Sequence, residues 1–171
     1  MKFIGSSADQ ENAVKAAVTA ATDYIANASK YVANLPSDST GKRYTTWFGK
    51  DDPQRRAVVQ SVLNNLSNSD FTDFTYDCST DADPHSFGSV DPEKFGFINL
   101  GPLFWKAPAT GTDSQAGLLV RLASKFLNNG GNQDHEYGYE DCQELARTMP
   151  EKAITNPDNY GYFVENDPAL A

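Results

Sequence analysis

The longest regular signal in the chain is helical. Between Ala8 and Asn34 the residues Ala13, Val14, Ala17, Val18, Ala21, Tyr24, Ile25, Ala28, Tyr31 and Val32 recur at three- and four-residue spacing. That period puts them on one face, so an amphipathic helix is predicted, opened by Ser7 and stopped at Leu35-Pro36. A second helix is predicted from Pro53, a favourable first-turn residue, through Val58, Val59, Val62, Leu63 and Leu66 to the Ser/Asn cluster before Asp70. From Phe71 to Leu100 the texture changes to aromatic and β-favouring residues broken by turn signals. Short strands are predicted at Phe71 to Cys78, Phe87 to Val90 and Phe95 to Leu100, the last two joined as a hairpin through Asp91-Pro92-Glu93-Lys94. Helical spacing then resumes through Gly117, Leu118, Leu119, Leu122, Ala123 and Phe126, with Thr112 or Asp113 as cap and Asn129-Gly130-Gly131 as stop. Shorter helices follow at Tyr139 to Thr148 and Asp158 to Glu165, set apart by Pro150 and Pro157. The pattern predicts an α+β fold, mostly helical, with a small antiparallel sheet. With no repeat and no Gly/Ser linker, residues 1–171 are expected to form a single domain.

Charge and length remove several classes of function. The chain has 171 residues, and its 14 Lys+Arg against 23 Asp+Glu give a net charge of -9. Such a surface repels phosphate backbones and has no basic tract for anionic lipid, so neither nucleic acid nor a membrane is an expected partner. No apolar run approaches the ~20 residues of a spanning helix, and Met1 to Gly5 is too short for a secretory core. Two cysteines, Cys78 and Cys142, allow at most one bridge, and the two histidines, His85 and His135, have no third metal ligand marked by spacing.

Chemistry enters through a set of segments in fixed order. They are Arg43-Tyr44-Thr45-Thr46-Trp47-Phe48-Gly49, Phe74-Thr75-Tyr76-Asp77-Cys78, and Phe104-Trp105 followed by Gly111-Thr112-Asp113-Ser114. After these come Asn129-Gly130-Gly131 with Asp134 and Tyr137-Gly138, and then the run from Asp158 to Asn166. Taken together they resemble the aspzincin metallopeptidases, the deuterolysin group, and most of all the fungal peptidyl-Lys metalloendopeptidases. The resemblance implies a zincin-like fold with an active-site cleft between helices and sheet.

In that family the helix before the Gly-Gly turn carries His-Glu-x-x-His, two imidazoles for Zn²⁺ and a glutamate for its water, and an Asp beyond the turn is the third ligand. The matching pentapeptide here is Arg121-Leu122-Ala123-Ser124-Lys125, while Asp134 and the oxyanion-supporting Tyr137 are kept. A guanidinium has no lone pair to donate, an ammonium repels a divalent cation, and leucine takes no proton. The resemblance therefore implies a domain with no zinc, no other cofactor and no catalytic residue, a pseudoenzyme that binds a peptide, protein or glycan in the old cleft. Its expected lining is Arg121, Lys125, Asp134, Tyr137, Asp158 and Gly161, with Arg121 and Lys125 offsetting the Asp134 charge. The alternative expectation is an active metalloendopeptidase with a relocated or non-standard metal site. Where the relatives are expected to bind lysine with Asp-x-x-Glu, this chain has Asp158 and Gly161, which implies a weak lysine preference. Secreted relatives are also expected to hold disulfides where this chain has Gly5, Ser6, Thr80 and Gly101, and that difference points to a reducing, cytoplasmic setting.

Overall fold

The computed structural model of the chain describes residues 1–37, 41–79 and 83–171. Strand β1 (Lys2–Ile4) leads into α1 (Ala8–Ala33), then α2 (Lys42–Phe48), α3 (Pro53–Asn68), β2 (Thr75–Asp77), β3 (Gly88–Ser89) and β4 (Phe97–Leu100). Four helices complete the chain: α4 (Gln115–Ser124), α5 (Tyr139–Thr148), α6 (Pro150–Ala153) and α7 (Pro157–Glu165).

The long helices form where periodicity and capping agree. Ser7 accepts from the Gln10 backbone while the Gln10 side chain returns to the Ser7 amide, a reciprocal cap that starts α1. Val14, Ala17, Val18, Ala21, Ile25, Ala28 and Val32 then form its buried stripe. Asp52 caps α3 by accepting from the Arg55 amide, and Pro53 occupies its first turn. Helix α4 starts later than the predicted Thr112 or Asp113: Asp113 turns the chain at φ 54°, and the Ser114 hydroxyl accepts from the Gly117 amide at 3.0 Å. It ends at Ser124 because Phe126 is extended, two residues short of the predicted end. All ten α4 residues are buried.

The sheet corrects the expected antiparallel arrangement. Its strand order is β1-β2-β4-β3, with β1–β2 and β2–β4 parallel and only the β3–β4 hairpin antiparallel. Three helices separate β1 from β2, and the long segment between β2 and β4 carries β3, so each parallel pair has the extended crossover it requires. Phe71–Asp73 forms a 3₁₀ turn, shortening the first predicted strand to Thr75–Asp77. The short elements β1, α2 and α6 had no periodic signal; α2 is held instead by burial of Arg43, Tyr44, Trp47 and Phe48.

One apolar cluster runs through α1, α2, α3, the sheet, α4 and α7, and α4 lies at its centre against α1 and α7. Cys78 is a partly buried free thiol and Cys142 a buried one. Among the positions noted for missing bridge partners, Thr80 lies outside the described residues.

Candidate active site

A cleft of about 690 Å³ opens beside the α4–α7 contact, with Arg121, Leu122, Lys125, Asp134, Tyr137 and Asp158 in its lining. The spacing of α4 explains how the first three arrive there: residues 121, 122 and 125 share a helix face, and that face looks into the cleft. Gly161 lies below the lining, where a Cβ would come within 2.2 Å of Arg121 Nε. His85 is also in the lining, whereas His135 is not, its Nε2 paired with Thr155 Oγ1 at 3.0 Å.

The two cations have different partners. Lys125 Nζ meets Asp134 Oδ2 at 2.6 Å, as the resemblance implied, in a pair that is about one-quarter exposed on each side. Arg121 does not reach Asp134. Its Nη2 donates to Asp113 Oδ1 at 3.1 Å, and its guanidinium lies 3.7 Å from Asp158 Oδ1 and 3.8 Å from Glu165 Oε2. The guanidinium carbon also stands 4.3 Å from the centre of the Tyr162 ring, close enough for a cation–π contact. On its far side in the network, Tyr162 stacks with Trp47, centroids 5.0 Å apart and planes 20° from parallel.

Asp113, Tyr162 and Glu165 were missed from sequence. The signal for two of them was present, since Asp158, Tyr162 and Glu165 follow the helical period of α7 and face one way. Asp113 carried no such signal because it reaches the site through a left-handed turn.

Burial acts against the Arg121 charge, but Asp158, Glu165, Tyr162 and Asp113 together outweigh it and hold the guanidinium above its ordinary value. Burial likewise raises Asp158 and Glu165 above the usual carboxylate range, with Arg121 pulling the other way. Slight burial and then the neighbouring Asp134 raise Tyr137, so this exposed phenol remains a proton donor at neutral pH.

The lysine-specific metallo-endopeptidase family, the aspzincins, matches residues 33–165. The chain is 43% identical over 169 residues to a peptidyl-Lys metalloendopeptidase of Pleurotus ostreatus, with 99% of each chain covered. It is 41% identical over 167 residues to a peptidyl-Lys metalloendopeptidase of Grifola frondosa, covering 98% of this chain and 47% of that protein. In three dimensions it is similar to a zinc peptidase from Grifola frondosa, with a TM-score of 0.93 at 40% identity over 97% of this chain and 100% of that one.

These findings correct the expectation of a non-enzyme. A relative matched over 99% of its length is named a peptidyl-Lys metalloendopeptidase and a solved structure matched over its whole chain a zinc peptidase, so the reading as a zinc-free pseudoenzyme gives way to the alternative, a metalloendopeptidase. The residues at 121, 122 and 125 nevertheless do not fit zinc. Arg121 offers no lone pair, Leu122 no donor atom, and the Lys125 ammonium is committed to Asp134. Among the described residues no group of three His, Cys, Asp or Glu side chains is placed to hold a metal ion. The matched span, the identity over the whole length and the shared fold leave one assignment: the chain belongs to the aspzincin, lysine-specific metallo-endopeptidase family.

Proposed function

We propose that this chain is a metalloendopeptidase acting on polypeptides drawn into the α4–α7 cleft. The observation that carries the reading is the 43% identity to the Pleurotus ostreatus peptidyl-Lys metalloendopeptidase over 99% of both chains. The cleft supports it as well, since its roughly 690 Å³ is of the size that encloses a small ligand or a few side chains of an extended peptide. Leu122 and Phe87 supply apolar wall, and the exposed Tyr137, whose phenol stays protonated, adds a hydroxyl to the lining. Because positions 121, 122 and 125 do not fit zinc, the reading requires metal donors other than these.

The test is elemental analysis of the purified protein after equilibration with zinc, together with digestion of an unfolded protein with and without a chelator. Stoichiometric metal and cleavage that the chelator abolishes are expected. Protein with intact circular dichroism that holds no metal and cleaves nothing overturns the proposal.

A further inference from the structure

Two arginines are buried among the described residues, and their surroundings are opposite. Arg121 is ringed by carboxylates, whereas Arg43, only 2% exposed, has none within ion-pair distance. The Arg43 Nε and Nη2 donate to the Phe163 carbonyl at 2.9 and 2.8 Å, and Nη1 donates to Asn27 Oδ1 at 2.8 Å, so its acceptors are all neutral. The Tyr31 and Phe163 rings stand 5.1 and 4.7 Å from the guanidinium carbon. Burial pulls its pKa down to about 10, with only Tyr31 acting the other way. A buried charge is costly to leave without a charged partner. Three of the guanidinium's five N–H groups are engaged, which leaves one on each terminal nitrogen.

Arg43 borders a second cavity, of about 450 Å³, none of whose lining residues lines the cleft. The facing wall comes from α1, where Asn27, Lys30, Tyr31 and Asn34 follow the spacing i, i+3, i+4 and i+7 and so share one side. Among the described residues no acidic side chain lines this cavity. Lys30 is exposed and has no ion-pair partner among them. The Tyr31 hydroxyl is buried with no hydrogen-bond partner. The Ala171 carbonyl oxygen accepts from the Arg43 backbone amide at 2.8 Å, not from its guanidinium. The wall thus carries two positive charges, no negative one, and hydrogen donors that are still open.

We propose that this cavity is a binding site for a small oxyanion, a phosphate or a carboxylate, held by Arg43, Lys30 and the Tyr31 hydroxyl. The two N–H groups left on Arg43 suit two oxygens of one such group. The ligand supplies the countercharge that the fold omits beside Arg43. The site is separate from the cleft, and the inference does not depend on peptide cleavage.

Isothermal titration calorimetry with inorganic phosphate and with succinate, at fixed ionic strength in chloride, tests the site. Saturable binding of at least one probe is expected, and which of the two binds tells a phosphate ligand from a carboxylate one. Tyr31→Phe is expected to weaken that binding about tenfold, the effect of losing one hydrogen bond to a charged group. Without probe the same variant should melt no lower than the native chain, because the hydroxyl it removes has no partner. Lys30→Gln, at an exposed position, should weaken binding several-fold with little change in melting. If the two cations serve only the C-terminal ends of α1 and α7, where helix carbonyls carry partial negative charge, neither probe binds saturably or the native chain and both variants bind alike. Either result overturns the proposal.

Discussion

Asp158 and Glu165 show how a buried carboxylate makes stability depend on pH. Burial, partly offset by Arg121, raises both above the ordinary carboxylate range. Between the ordinary value and the raised one the folded chain holds more protons than the unfolded chain, so stability falls as pH rises through that window. Asp158→Asn cannot ionise, and urea unfolding at a series of acidic pH values is expected to show a flatter slope than the native chain; an unchanged slope refutes this account. The Lys125–Asp134 pair is a different case. Each side chain is about one-quarter exposed, and ion pairs near the surface are worth ~0 to 1 kcal/mol. Asp134→Ala is therefore expected to cost less than about 1 kcal/mol in urea unfolding, and a loss above about 2 kcal/mol would mean that Asp134 supports more than this lysine.

At the scale of elements, the start of α4 ties the helix to the site. The Ser114 hydroxyl both accepts from the Gly117 amide and donates to Glu165 Oε1 in a fully buried setting. Losing an N-cap costs ~1 kcal/mol and withdrawing a donor from a buried carboxylate ~1.5 to 3 kcal/mol, so Ser114→Ala is expected to destabilise by about 3 kcal/mol in chemical unfolding. A cost near that of an exposed serine would show that Glu165 finds another donor. The sequence located α4 by its apolar run but offered Thr112 and Asp113 as caps, because nothing local tells which of three polar residues turns left-handed. Helices α1 and α3 were legible because their apolar spacing and end signals coincide, and α5 because Pro150 sets its limit. Of the sheet, the β3–β4 hairpin and a shortened β2 were legible, but not the parallel pairing. Its parallel pairs join segments far apart in sequence, and a three-residue strand such as β1 carries no period of its own.

For the molecule as a whole, the resemblance located most of the cleft. Arg121, Leu122, Lys125, Asp134, Tyr137 and Asp158 do meet around one cavity, with Gly161 directly beneath. What the sequence withheld was the pairing: Arg121 was expected to face Asp134, and instead it turns toward α7, into space that Gly161 leaves open. That choice depends on the relative placement of α4 and α7, which no local pattern encodes. The expectation of a non-enzyme rested on the donor atoms of three residues, whereas identity over nearly 170 residues places the chain among metalloendopeptidases. The donor chemistry of those three positions still stands, which is why the metal and digestion experiment is decisive at this scale.

The contact of Tyr162 with both the Arg121 guanidinium and the Trp47 indole gives the cleft a built-in optical probe. Indole emission responds to nearby charge and to how tightly its neighbours quench it. With the half-buried Trp105 replaced by phenylalanine to remove background light, replacing Arg121 with alanine should register as a change in colour or intensity from Trp47, without any label attached.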